Sequence, residues 1–311
     1  MRRSRSIVLL VVGLGLAAAP AVFQMFSRAP QGADMIAGFG PYMTDEVITS
    51  FQDDLALIDA ALVEYRADAA PLVDSSVRTT YLTQLEAEWP GIYDDMSGML
   101  ATMGNDVPKF AGVEALPSFE LFPWFFVAPG VLVVIAGVAA ARSPGRRWPL
   151  GVAVAVGLGL VAAPAVFQMF SRAPDGARMI DDFRPFMTTE KVQTIQGYFL
   201  VIGTGEGNLR NDILPVLEDV DVPRVRQFSS EWPRISNDMA PMIGAMSDNV
   251  DNYQAVDALP SFALFPWFFV APGLLISGVG VTEWRRRRAF ADLNAQSTAS
   301  LNDNIQKKEN S

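Results

Sequence analysis

Carboxylates are the most abundant reactive groups in this chain, with 34 acidic side chains against 24 basic ones and a formal charge of −10. Asp53-Asp54, Asp94-Asp95 and the run Ser247-Asp248-Asn249-Val250-Asp251-Asn252 have the oxygen-rich character that attracts Ca²⁺. A calcium loop also needs ligands at set positions, a central Gly for its sharp turn and a distal bidentate Glu. None of the three has that spacing, so they read as solvated acidic faces. Gly203, Gly205 and Gly207 follow a helical pattern, whereas a phosphate-cradling loop follows a strand. Histidine and cysteine are both absent, which removes imidazole and thiolate metal ligands, cysteine nucleophiles, disulfides and the Ser-His-Asp arrangement. The sequence therefore predicts a non-enzyme with no cofactor and no metal. An acidic chain also lacks the basic surface that nucleic acid requires.

A binding site is the remaining possibility, and the candidate is an aromatic and polar collar. It comprises Phe23, Gln24, Phe26 and Arg28 with Trp124 and Phe125, and a second set of Phe167, Gln168, Phe170 and Arg172 with Trp267 and Phe268. Aromatic residues at a membrane boundary ordinarily serve as interfacial anchors. Arg28 and Arg172 can snorkel to outer headgroups or cap an acidic domain. The sharper reading is a lipid or partner site, with Gln24 and Gln168 as paired polar groups.

The elements that must position this collar are membrane helices. A hydrocarbon core about 30 Å thick needs about 20 apolar residues in helical form. Four uncharged runs meet that test, at 7–26, 121–141, 149–170 and 264–281. Arg2, Arg3 and Arg5 precede the first, Arg142, Arg146 and Arg147 lie between the second and third, and Arg285, Arg286, Arg287 and Arg288 follow the fourth. The positive-inside rule makes 1–6, 142–148 and 282–311 cytoplasmic, the last as a disordered polar tail, and turns 27–120 and 171–263 outward. The first run also resembles a cleaved signal peptide, basic then apolar then Ala17-Ala18-Ala19. Pro20 would follow the cut, however, and the string AAPAVFQMF at 18–26 recurs inside the third run at 162–170, so an uncleaved span is expected.

That recurrence extends through the chain at an offset of 143–144 residues. PAVFQMFSRAP at Pro20–Pro30 returns unchanged at Pro164–Pro174. Glu88-Trp89-Pro90 returns as Glu231-Trp232-Pro233, and LFPWFFVAPG at Leu121–Gly130 returns at Leu264–Gly273. Each copy holds two spans, so both insert the same way round, as parallel repeats about a pseudo-twofold axis along the membrane normal. The copies are most alike at the collar and least alike in the middle of the outward segments.

Those middles read as helices. Ile48, Phe51, Leu55, Ile58, Leu62 and Tyr65 alternate spacings of three and four behind Thr44, a fitting N-cap. The second copy keeps Val192, Ile195, Phe199 and Ile202, then is expected to break at the 203–207 glycines. A longer stripe, Leu82, Leu85, Trp89, Ile92, Met96, Met99 and Met103, returns in register as Val225, Phe228, Trp232, Ile235, Met239, Met242 and Met246. Pro90 and Pro233 predict a kink or a fresh helix start. Gly151, Ala155, Gly159 and Ala163, with Gly15 and Ala19, form a small-residue stripe suited to close helix packing. Pro123, Pro129, Pro266 and Pro272 should kink the second and fourth spans, with neighbouring helices satisfying the freed carbonyls.

The expected fold is all-α: four transmembrane helices in two tandem parallel repeats, with outward hairpins pairing as a pseudo-twofold four-helix bundle. The expected function is a non-enzymatic bacterial inner-membrane protein. Its acidic outer domains bind an envelope or membrane partner, self-associate or organise the envelope, and its collar meets the lipid bilayer. The alternatives are a small transporter or channel acting as a dimer, and a sensor without its own output domain. Ionisable residues, which mark transport routes, are missing from all four runs.

Overall fold

The computed structural model describes the backbone of residues 2–143 and 146–309, and side chains over 6–143, 146–286 and 288–289. The side chains of Arg2, Arg3, Arg5 and Arg287 lie outside the described residues. The described chain is helical, with no strand. Ten α-helices occur in the order α1 (Arg2–Val22), α2 (Met25–Phe39), α3 (Asp45–Glu64), α4 (Thr80–Glu114), α5 (Phe122–Arg142), α6 (Trp148–Val166), α7 (Met169–Phe183), α8 (Thr189–Asn208), α9 (Pro223–Asp257) and α10 (Phe265–Glu309). The chain divides into two compact units.

The first unit, residues 1–29, 116–174 and 259–311, holds the apolar helices. Phe119–Arg142, Trp148–Val166 and Phe262–Arg286 are each long and apolar enough to cross a membrane. A fourth crossing exists if α1 and α2, which meet at a 57° bend, count as one broken span. The chain is thus a membrane protein with three or four spanning helices. α1 packs along α5 and α6 along α10, while α5 touches α6 and α1 touches α10 more sparsely.

Glycines set the two close crossings. A Cβ added to Gly13 would lie 2.9 Å from the Gly130 carbonyl oxygen, and one on Gly130 would lie 2.6 Å from the Ala17 nitrogen. On the other pair, a Cβ on Gly273 would lie 2.7 Å from the Gly157 carbonyl oxygen. Backbones approach this closely only where side chains are missing, and membrane helices rely on such contacts because lipid supplies no hydrophobic drive between them. The Gly151, Ala155, Gly159 and Ala163 stripe does not make this contact. Gly159 has nothing within 4 Å of an added Cβ, and Ala155 is exposed.

Three boundaries differ from the sequence expectation. The apolar runs 7–26 and 149–170 do not continue as single helices, because α1 ends at Val22 and α6 at Val166. Gln24 and Gln168 each adopt φ 54°, the left-handed region that stops a helix. The tail beyond residue 281, expected to be disordered, continues the helix of α10 to Glu309. It contains no Gly or Pro after Gly280 to end that helix.

The second unit, residues 30–115 and 175–258, is built on α3, α4, α8 and α9. Thr44 caps α3 as expected, its Oγ1 accepting from the Val47 N–H, and Thr188 caps α8 through the Lys191 N–H. α3 packs on α4 and α9, and α8 packs on α9 and α4. The expected seams lie inside. Ile48 through Tyr65 on α3 and Leu82 through Met103 on α4 are buried. Of their counterparts, Phe199 and Trp232 are half-buried and the others are buried. The Met and Trp stripe is therefore core.

The 203–207 glycines do not break α8, which runs on to Asn208. A Cβ on Gly205 would lie 2.6 Å from Leu85 Cδ2, and one on Gly203 would lie 3.4 Å from the Trp232 ring. Glycine here admits neighbouring side chains, and packing outweighs its poor helix propensity of about 1 kcal/mol. Likewise α4 continues through Pro90 and α9 through Pro233, with no new helix starting at either.

Candidate functional site

The collar residues lie in the first unit. Phe26 meets Trp124 edge-on, with ring centroids 5.7 Å apart at 77°. Phe170 meets Trp267 in the same geometry, at 5.8 Å and 77°. Phe23 packs on Phe268 at 6.4 Å and Phe125 on Phe167 at 6.1 Å. The eight aromatic residues expected from sequence are thus brought together as four pairs. Edge-on and offset contacts of this kind add about 0.5–1.5 kcal/mol beyond the area they bury.

Beside them lies a cluster in which Phe122 and Phe126, with Phe265 and Phe269 in the second copy, belong to the expected collar, while Phe119 and Phe262 were not singled out. Phe119 meets Phe122 edge-on at 4.8 Å and reaches Phe262 at 5.7 Å, while Phe122 meets Phe265 at 5.1 Å. Phe126 packs on Phe269 at 4.7 Å. All six rings are buried, unlike Trp124 and Trp267, which are more than half exposed. The signal for Phe119 and Phe262 was available, since Ala115-Leu116-Pro117-Ser118-Phe119 returns as Ala258-Leu259-Pro260-Ser261-Phe262.

Gln24 and Gln168 are not brought together as a polar pair in the described contacts, and their side chains are exposed. Their backbones act instead. The Gln24 carbonyl accepts from the Ser27 and Arg28 N–H groups, at 3.2 and 3.0 Å, and from the Ser27 hydroxyl at 2.9 Å, which starts α2. Gln168 starts α7 through Ser171 and Arg172 in the same way. A left-handed residue without the freedom of glycine is strained, and a β-branched side chain makes that worse. We therefore expect Gln24→Val to cost about 1–2 kcal/mol and Gln24→Gly to cost nothing. Thermal unfolding of both variants in detergent micelles checks this, and equal melting temperatures would refute it. Arg28 and Arg172 are half-buried, and each is engaged in an interaction.

A cavity of about 300 Å³ opens beside the collar, between α1 and α10. Gly15 and Ala19 of α1, Phe126 of α5, and Trp267, Phe268 and Pro272 of α10 define its walls. Its lining is almost wholly apolar. The two small residues of α1 hollow out this space and do not serve as a helix contact.

The second unit carries polar chemistry of a structural kind. Buried Asp54 on α3 is held by Arg234 of α9, with Nη2 2.5 Å from Oδ1 and Nη1 3.3 Å from Oδ2. That ion pair lifts the Arg234 pKa further above its ordinary value. Asp95 of α4 accepts from Lys191 and from the Tyr198 hydroxyl, the latter at 2.7 Å. Burial, and after it the Asp95 hydrogen bond and charge, push Tyr198 up to about 12. Lys109 lies between Asp106, which is 1% exposed, and Asp182 at 2.8 Å. Burial pushes Asp106 above the usual carboxylate range, although Lys109 pulls it down.

Glu206 is fully buried, with Oε1 accepting from the Ser229 hydroxyl at 2.8 Å. Its Oε2 makes no hydrogen bond and lies 3.5 Å from Arg210. Burial raises its pKa against the lowering effects of Ser229 and Arg210.

Two crossed caps join the helices. Glu64 at the end of α3 accepts the Val225 N–H of α9 at 2.8 Å. Asn208 at the end of α8 accepts the Leu82 N–H of α4 at 3.1 Å and donates to the Arg78 carbonyl at 2.8 Å. Among the described residues no acidic side chains gather in threes as metal ligands. The chain matches no protein-family model and no curated protein, which leaves the geometry of the collar and of the helical unit as the basis for a function.

Proposed function

We propose that the chain is a non-catalytic inner-membrane protein that displays an acidic helical bundle outward to bind an envelope protein of basic, amphipathic character. In this reading the chain is two tandem parallel repeats. Its bundle is pseudo-twofold, and its termini and short loop are cytoplasmic. The recurring strings, the arginine placement and the crossed caps support that organisation.

The observation that carries the reading is what the bundle leaves on its surface. Its apolar stripes are consumed in the core, and residues 30–115 and 175–258 hold 29 acidic against 10 basic side chains. Five large apolar side chains are exposed on that acidic surface, Val63, Leu72, Tyr81, Leu200 and Val216, and Leu72, at 61%, and Val216, at 55%, are a matched pair among them. They occupy equivalent places, each just after Pro71 or Pro215 and a π-helical turn, at Tyr65–Ala69 and Leu209–Ile213. Turns of that kind are frequent at functional sites. The bonds from Asn208 to Leu82 and Arg78 support a bundle with both tips at one end. Paired apolar anchors in a negative field suit a partner that is positive around an apolar face.

The chain contains no cysteine, so Leu72→Cys supplies a unique thiol. A membrane-impermeant maleimide applied to intact cells should label it. The unaltered protein, crosslinked in membranes and purified, should retain a basic partner that the Leu72→Asp, Val216→Asp double variant loses. Labelling only after lysis would overturn the orientation, and recovery of the chain alone would overturn partner binding.

A further inference from the structure

We infer that the cavity between α1 and α10 is a binding site for one acyl chain of a bilayer lipid. It goes beyond partner binding by the outer bundle and rests only on the membrane character of the first unit.

Three observations select this occupant. The cavity lies along stretches of α1 and α10 that are apolar on every side, and Val11 and Leu14 of α1 and Leu274 and Leu275 of α10 are exposed around it. In a bilayer that face meets hydrocarbon, so lipid tails are the medium at its mouth. The lining contributes no charged side chain, which excludes a headgroup, because a polar group buried without partners is strongly disfavoured. At about 300 Å³ the hollow has the size of a small-ligand site, and a flexible chain one methylene wide can lie in it.

The shape is built in by particular residues. Gly15 and Ala19 recess the α1 wall, and Gly15 has nothing within 4 Å of an added Cβ. Pro272 removes a backbone donor from the opposite wall. Phe23 and Phe268, in contact at 6.4 Å, form one edge. An apolar hollow left empty forfeits the dispersion contacts of its whole lining, so a tail that enters is held more firmly than lipid on the smooth exposed faces.

Native mass spectrometry of the full chain tests this after reconstitution in palmitoyl-oleoyl phosphatidylcholine vesicles and re-extraction in detergent. The unaltered chain should keep about one lipid at an activation energy that strips the rest, as a pre-formed pocket does. The Gly15→Leu, Ala19→Leu double variant fills the hollow and should lower that retention about tenfold. Leu158→Phe, which adds bulk at an exposed apolar position of α6 outside the lining, should leave it unchanged. Circular dichroism confirms that each variant remains helical. A photoreactive fatty acid fed to unaltered cells should label α1 and α10 peptides, which reads the site without any variant. No retained lipid on the unaltered chain would overturn the inference, as would equal loss from Leu158→Phe. A cavity occupied only by a second copy would overturn it too, seen as labelling that stops when the protein is dimeric. Failure of the partner experiments would not touch any of these readings.

Discussion

Gly130→Leu is expected to disrupt the α1–α5 crossing and to destabilise the membrane unit by about 3 kcal/mol, the upper part of the range for overpacking. The atoms that a new side chain meets are the Ala17 nitrogen and the Gly13 carbonyl oxygen, at 2.6 and 2.7 Å. These are backbone atoms of a helix and cannot rotate aside as a side chain can. A Cβ at Gly15, on the same helix as Gly13, meets nothing within 4 Å, so leucine there extends into the hollow beside α10 and should change stability by no more than about 0.5 kcal/mol. Titration of the folded protein with a denaturing detergent, followed by tryptophan fluorescence, compares the two. If both glycines tolerate leucine equally, the close crossing is not where the structure puts it.

Glu206→Leu is expected to stabilise the helical unit by about 1–4 kcal/mol at neutral pH, as replacement of buried charged groups by apolar ones often does. Leu62, 144 residues earlier, is 1% exposed at the corresponding place on α3, so the fold already accepts leucine there. The chain exchanges partners in concert: Arg66 pairs with Glu86 at 3.0 Å, whereas Arg210 pairs with Glu206 and the place of Glu86 is taken by Ser229. The Arg210 side chain is half exposed and stays solvated when Glu206 is gone.

The pH dependence has a definite sign. Burial raises the folded pKa of Glu206 above its ordinary value of 4.5. The folded state therefore holds the proton more tightly than the unfolded state, and the stabilisation is complete below pH 4.5. It is lost as pH rises through the raised folded value. The gain from Glu206→Leu should be small in acid and larger at neutral pH. Asp106, also raised by burial, is common to both proteins and cancels in the comparison. Urea unfolding at pH values on both sides of the window measures it. A difference that does not change with pH, or a variant less stable than the parent at pH 7, would refute the assignment.

The helices of the second unit were legible because their buried positions follow one period. Ile48, Phe51, Leu55, Ile58 and Leu62 are all within 3% exposure, and Thr44 marks the start of α3. The membrane helices were legible from hydropathy. Partners were harder to read. The small-residue stripe at Gly151, Ala155, Gly159 and Ala163 has the right spacing for a crossing, yet Gly13 with Gly130 and Gly157 with Gly273 make it. Spacing along one helix does not reveal which residue faces a neighbouring backbone.

The breaks at Gln24 and Gln168 were hidden for a different reason. Left-handed backbone is usually marked by glycine or asparagine, and glutamine within an apolar run carries no such mark. The collar is legible from recurrence, which marks Phe122 and Phe126 along with the exposed aromatic pairs but does not tell which rings are buried. Nor does recurrence show a hollow, because Gly15 and Ala19 read equally well as a packing stripe until α10 stands opposite them.

The crossed caps have a consequence for the order of synthesis. Glu64 waits for Val225, which is 161 residues later, and Leu82 waits for Asn208, 126 residues later. Asp54 waits for Arg234, 180 residues away. A chain made from its N-terminus at about 5–20 residues per second has the first segment complete many seconds before the second exists. During that interval α3 and α4 hold a full apolar seam with no second pair of helices to cover it. Loop closure over such distances is slow, and the exposed seam is open to aggregation. The nascent first half thus depends on a holding factor or on rapid elongation, a demand that the finished molecule does not reveal.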